Sequence, residues 1–165
     1  MPTPQIETRP DQPYVAIAAR ATPAGLPAIV DPGFPELFGW LAERGIAPAA
    51  APLIRYRTTG PGELAFELAV PLAAPVAGDE RISAGTLPAG RYAVLVHVGP
   101  FGGLQASHAE LERWTGENGL RLDRRDDRDG LAWGAMVEQY LTDPRSEPDV
   151  QRWRTEIAYR LADGD

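Results

Sequence analysis

Between residues 64 and 72, Leu64, Phe66, Leu68, Val70 and Leu72 alternate with Ala65, Glu67 and Ala69. A period of two predicts a strand with one buried face. The preceding "APLIRYR" and the loop "TTGPGE" make it the second arm of a hairpin. Upstream, "QIETRP" and "YVAIAARAT" read as a first strand, or as two short strands broken by "PDQP". "AGLPAIVDPGFP" reads as a long, proline-rich approach to a helix, and "PELFGWLAERG" as the helix, with Pro35 in its first turn and Gly45 just past its end. Leu37, Trp40 and Leu41 mark its apolar face, widened by Phe34 and Phe38. "PVAGDERISAGTLPAG" bridges to the strand "RYAVLVHVG". "PFGGLQASHAELERWTGENG" opens as a loop and becomes a second helix, with Leu104, His108, Leu111 and Trp114 or Thr115 at helical spacing and Gly119 at its end. "RLDRRDDRDG" is a charged loop, and "LAWGAMVEQYLTDP" and "WRTEIAYRLA" are the last strands, joined by the polar turn "DPRSEPDVQ".

The pattern repeats. "LFGWLAERGI" parallels "LERWTGENGL", "PLIRYRT" parallels "MVEQYLT", and "FELAVPL" parallels "TEIAYRL". Tyr56 is thereby set against Tyr140, Glu67 against Glu156, and Ile54 against Glu138. The expectation is an α+β fold built of tandem duplicated strand–helix–strand–strand units, with a ligand groove between the halves. Residues 1–165 read as one domain, with pseudo-repeats at about 1–75 and 80–165.

Composition narrows the chemistry. Hydrophobic residues are 44% of the chain, enough for a core. The net charge of -7 argues against a phosphate backbone as the main partner. With no cysteine, thiolate chemistry and Cys-based zinc sites are excluded. All 16 basic residues are arginine, which excludes Schiff bases and a P-loop lysine. No signal peptide or membrane span is visible, so the expected compartment is the cytoplasm. His97 and His108 lack metal-binding spacing, and no G-x-S-x-G elbow occurs. Neither a metal nor a cofactor is expected. "LDRRDDRDG" is a solvated turn, since Gly134 falls where a calcium loop needs its closing glutamate.

Glu138 stands out as a carboxylate within an apolar strand, where it faces water or awaits a partner. Tyr140, two residues on, shares its face. With "LPAGRYAVLVHVGPFGGL", "LERWTGENGL", "MVEQYLTDP", "TEIAYRL" and "PLIRYRT" in this order, nearly the whole chain resembles the GyrI-like small-molecule-binding family, the effector-binding domain of multidrug-responsive transcription activators. In that family a glutamate precedes the tyrosine of a "Y-L-x-D-P" segment by two residues, and Glu138 holds that position. The resemblance implies that Glu138 lies at the floor of a pocket ringed by aromatic side chains, where the regulators receive lipophilic cations. The candidate ligand-binding set is Glu138, Tyr140, Tyr56, Phe101 and Trp133. Phe101 either closes over a ligand or staples the helix start; Trp133 and Trp153 sit at strand starts, at rim or core.

Three roles follow from the resemblance. The first is a stand-alone binder that sequesters or senses an amphipathic, cationic or toxic organic compound. The second is a hydrolase that opens cyclopropane rings of DNA-alkylating natural products, with Glu138 deprotonating a water and Tyr56 donating to the electrophile's carbonyl. The third is a protein that inhibits DNA gyrase; beyond that resemblance nothing in the sequence supports a protein partner. No helix-turn-helix flanks these motifs, so direct contact with nucleic acid is not expected, nor is a membrane partner.

Overall fold

The computed structural model describes residues 2–164. Its strands are β1 (Gln5–Arg9), β2 (Gln12–Ala21), β3 (Leu53–Thr59), β4 (Leu64–Pro71), β5 (Ser83–Leu87), β6 (Gly90–Val98), β7 (Arg124–Asp127), β8 (Gly130–Tyr140) and β9 (Arg154–Arg160). The helices are α1 (Leu26–Glu43) and α2 (Leu104–Glu117). All strands join one antiparallel sheet in the order β1-β6-β9-β8-β3-β4-β2-β5, with β7 hairpinned onto β8. The segments β2-α1-β3-β4 and β6-α2-β8-β9 are the same unit twice, and they meet where β3 pairs with β8.

The register gives that junction a local two-fold. Ile54 pairs directly with Glu138, and Tyr56 and Tyr140 each lie two residues beyond that pair on their own strand. In the helices, Trp40 matches Trp114, and Gly45 (φ 65°) matches Gly119 (φ 64°), each in the left-handed conformation that ends a helix. Counting back from the tryptophans sets Phe34 against His108.

Each unit lends an edge strand to the other. β1 runs into β2 through Pro10 and Asp11 but pairs with β6; β5 runs into β6 through Pro88 and Ala89 but pairs with β2. These short connections draw the two ends of the sheet together and curl it into a half-barrel. Inside the curl pack Tyr14, Leu53, Ala69 and Val137, and beside them Tyr92, Val94, Ala135 and Ala158. Both helices cover the other face. Leu37 and Leu41 of α1 pack on Val15, Ile17 and Val70, and Leu104 and Leu111 of α2 pack on Leu95, Ile157 and Tyr159.

Four local readings are corrected. Helix α1 begins at Leu26 and continues through Pro32 and Pro35, so Pro35 lies in its interior. The apolar side chains Leu26, Ile29, Val30 and Phe34 pack against Ile54, Phe66 and Leu68, and this tertiary burial overrides the proline signal. The bridge to the second unit contains β5. The charged loop contains β7, which hydrogen-bonds to β8 and leaves Arg125, Asp126 and Asp127 exposed while Arg124 folds over Trp133. Finally, β4 is buried on both faces from Phe66 onward, because the curl also covers Glu67 and Ala69. Among the described residues no helix is long and apolar enough to cross a membrane.

Candidate functional site

The alternation of β8 aims Met136, Glu138 and Tyr140 at the helices and Ala135, Val137 and Gln139 into the curl. Glu138 is 7% exposed. Its Oε1 accepts hydrogen bonds from Tyr56 Oη at 3.0 Å and Tyr140 Oη at 2.7 Å. Its Oε2 lies 2.6 Å from His108 Nε2. The two phenols are the pair related by the local two-fold, and the carboxylate stands on the axis where the other strand offers Ile54. Beyond the imidazole, His108 Nδ1 is 2.6 Å from Tyr159 Oη, and the two rings stack at 5.7 Å. Tyr159 Oη also reaches the His108 carbonyl oxygen at 3.3 Å.

Burial alone would push the Glu138 carboxyl upward. The hydrogen bond and charge of His108, with the hydroxyls of Tyr140 and Tyr56, outweigh it and hold the group below its ordinary value of 4.5. Burial, reinforced by the charge of Glu138, pushes Tyr56 and Tyr140 upward, so both phenols keep their protons and remain donors. Tyr159 is raised for the same first reason, with Glu112 and Glu138 adding to it. The site is therefore an ionised carboxylate held by neutral phenols and one imidazole. Hydrogen bonds to an ionised group contribute about 1.5–3 kcal/mol each, which offsets the cost of burying it.

Phe34 meets Tyr140 edge-on at 6.2 Å. Phe101, in the 3-10 turn before α2, is 42% exposed; its ring stands 5.7 Å from Tyr140 and 4.9 Å from Trp153. Glu138, Tyr56, Tyr140 and Phe101 thus come together. Trp133 does not join them directly. A bulge between Tyr56 and Thr58 shifts the β3–β8 register and turns Trp133 to the helix side. There it is buried 5.2 Å from Tyr159, donates to Thr59 Oγ1 at 2.8 Å and lies beneath Arg124.

Two cavities open elsewhere. One, of 620 Å³, is a wide depression between Arg20, the β3–β4 loop and the β7–β8 turn. The other, of 190 Å³, lies inside the curl, lined by Arg9, Leu53, Leu87, Tyr92, Val137 and Gln139 among others. Neither touches Glu138, whose oxygens are covered by their own donors.

His108 is the site residue that sequence reasoning passed over. Its signal was a polar residue on the apolar stripe of α2, between Leu104 and Leu111. His97, by contrast, is a packed strand residue, bonded to Ser107 Oγ at 2.8 Å and facing the Pro100 carbonyl oxygen at 2.9 Å. Among the described residues no group of three or more His, Asp or Glu could hold a metal ion.

Solved structures share this fold. EcmrR in its complex with DNA superposes with a TM-score of 0.80 at 15% identity, over 99% of this chain and 58% of that one. The isolated EcmrR C-terminal domain gives 0.75 at 13% identity, with 99% of both chains covered. SAV2435 bound to tetraphenylphosphonium gives 0.63 at 12% identity, over 97% of this chain and 94% of that one. A hydrolase from Listeria innocua also gives 0.63, at 16% identity over 96% and 91%. No curated protein sequence matches the chain. The family model for the GyrI-like small molecule binding domain matches residues 2–162. With that match spanning nearly its whole length, and with two helices on a curled sheet of two like units, the chain belongs to the GyrI-like small molecule binding domain family.

Proposed function

We propose that the chain binds an amphipathic organic cation at Glu138, and so sequesters or senses a toxic compound. The observation that carries this reading is the buried, ionised carboxylate held on the local axis between Tyr56 and Tyr140. A delocalised cation sheds water easily and brings a permanent positive charge to a buried carboxylate. The rings of Tyr140, Phe34 and Phe101 add cation–π attraction of about 0.5–2 kcal/mol each. A carboxylate has about four acceptor positions, and three are engaged, so the ligand adds charge without stripping every donor. Entry passes Phe101, which reaches solvent above Tyr140. SAV2435, which shares the fold, is bound to such a cation.

The charge state of Glu138 weighs toward binding over hydrolysis. A general base works best with a pKa near the working pH, whereas this carboxyl is held low. The Tyr56 hydroxyl is directed at the carboxylate itself rather than toward a position for a substrate carbonyl.

The test is calorimetric titration with tetraphenylphosphonium and with neutral triphenylphosphine oxide, on wild type and on Glu138→Gln. The cation is expected to bind more tightly to wild type. The substitution should keep the fold and remove about 1.5–3 kcal/mol of cation affinity, as for a lost charge-assisted contact. Equal affinity of wild type for both compounds would reduce the site to an apolar surface and defeat the electrostatic reading.

A further inference from the structure

We infer that His108 is the resident counter-cation of Glu138 and sets the site's ligand specificity: an organic cation that docks on Glu138 displaces the imidazole proton, so cation binding releases one proton to solvent. This rests on Glu138 being the cation's acceptor, as proposed above.

The hydrogen bonds around His108 serve both of its charge states. As imidazolium it donates from Nε2 to Glu138 Oε2 and from Nδ1 to Tyr159 Oη, and Tyr159 donates its own hydrogen bond to the His108 carbonyl oxygen. As neutral imidazole it keeps the Nε2 donation, and Nδ1 accepts from Tyr159 Oη. Only the Tyr159 hydroxyl rotates between the two states. The change costs one long hydrogen bond, at 3.3 Å, and the contact with Glu138 survives.

The surroundings leave Glu138 as the carboxylate that answers the imidazole. From β8 and β3 come Tyr140 and Tyr56, and from β9 Tyr159, all held protonated. Glu112, one turn further along α2, is engaged by Arg124 at 2.7 Å. On β6, His97 is committed to Ser107 and Pro100. A second positive charge beside Glu138 therefore competes with the imidazolium for one carboxylate.

The internal two-fold gives an independent argument. The first unit has Ile54 at the position of Glu138 and Phe34 at that of His108; it lacks both members of the pair. A carboxylate alone would suffice to attract a cation. The imidazole adds pairing of the buried charge in the empty site, and a proton to give up on loading. With His108 charged the site is a neutral pair and resists cations; with His108 neutral it is an anion and accepts them. Linkage then fixes the sign: cation affinity rises with pH until the imidazole is fully deprotonated, then levels. A neutral ligand feels no such slope.

The experiment measures tetraphenylphosphonium binding from about pH 5 to about pH 8.5, across the range where imidazole charge changes, in buffers of differing ionisation enthalpy. Wild type should tighten by up to tenfold per pH unit at the acid end and release close to one proton per cation. His108→Phe, the first unit's residue, and His108→Gln, which keeps an N–H donor without a titrating group, should both be flat with no proton release. Triphenylphosphine oxide should be flat for every variant. Retention of the slope in a folded His108→Gln protein overturns the proposal, as does Glu138-dependent cation binding by wild type that ignores pH. Absent or Glu138-independent cation binding sinks the proposed function itself, and this inference with it.

Discussion

At Glu138 Oε1 two phenols from different halves of the molecule converge on one atom. Each holds the charged form of the carboxyl, so loss of either should let burial reassert itself. Tyr140→Phe and Tyr56→Phe are each expected to raise the Glu138 pKa by about one pH unit or more, the equivalent of a charge-assisted hydrogen bond. Carbon-13 NMR of the glutamate side-chain carboxyl across a pH series would read this directly; an unchanged midpoint in both variants would show that His108 alone sets the charge. The glutamate and both tyrosines are legible as candidates in the sequence, from strand alternation, the internal repeat and the family resemblance. His108 is not. Its hydrogen bonds join α2 to β8 and β9, and no local pattern distinguishes an inward-facing histidine that packs from one that pairs. Trp133 shows the same limit: simple alternation faces it with Ala135 into the curl, and only the bulge, a property of the pairing, turns it to the helix side.

Helix α1 carries two glycines whose environments predict opposite outcomes. Gly33 is buried, and a Cβ there would stand 2.3 Å from Leu68 Cδ1, on a side chain that is itself wholly buried. Gly39 is exposed, and a Cβ there would meet nothing within 4 Å. Gly39→Ala should therefore stabilise the protein by about 0.5–1 kcal/mol through helix propensity. Gly33→Ala should destabilise it by about 1–3 kcal/mol through overpacking. Urea midpoints of the two variants give both signs in one experiment; stabilisation by both would mean that α1 can ride away from β4. The start of the same helix is hidden in the sequence. Pro32 and Pro35 are exposed and contribute no packing, yet they dominate a local reading of the segment. The apolar residues that anchor it, Leu26, Ile29 and Val30, have partners on β3 and β4 that sequence spacing does not reveal. β5 is likewise hidden in the sequence, because "SAGTL" has little strand propensity and is held by pairing with β2.

At the scale of the molecule, two buried polar networks lie on opposite faces of one sheet. On the helix side is the Glu138 cluster. Inside the curl, Arg55 donates to Tyr14 Oη at 2.9 Å, to the Thr86 carbonyl oxygen at 3.0 Å and to that of Gly134 at 2.8 Å. It thereby ties β2, β5 and β8 to β3. Tyr14 in turn donates to Glu67, which also accepts from Arg57 at 2.7 Å. Arg55→Ala leaves these buried acceptors without their donor and should cost about 1–3 kcal/mol, as for buried hydrogen-bonding groups left unsatisfied, read from urea midpoints.

Acid should act on the helix side. The folded-state pKa of Glu138 is depressed, so its contribution to stability is fully present above the unfolded carboxyl value, about 4.3. It is lost as pH falls through the lower folded value, where the proton enters the carboxyl and the pairing with His108 ends. Asp79 is depressed as well: the backbone N–H of Ile82, then Trp40 Nε1 and the Arg81 N–H, hold it at about 2. Stability is thus expected to decline as pH falls below about 4.3, with Glu138→Gln losing less stability over that range than wild type. Urea unfolding at a series of acid pH values decides this. Parallel acid limbs in the two proteins would mean that the carboxyl is not ionised in the folded state, and the charge on which cation binding depends would be missing.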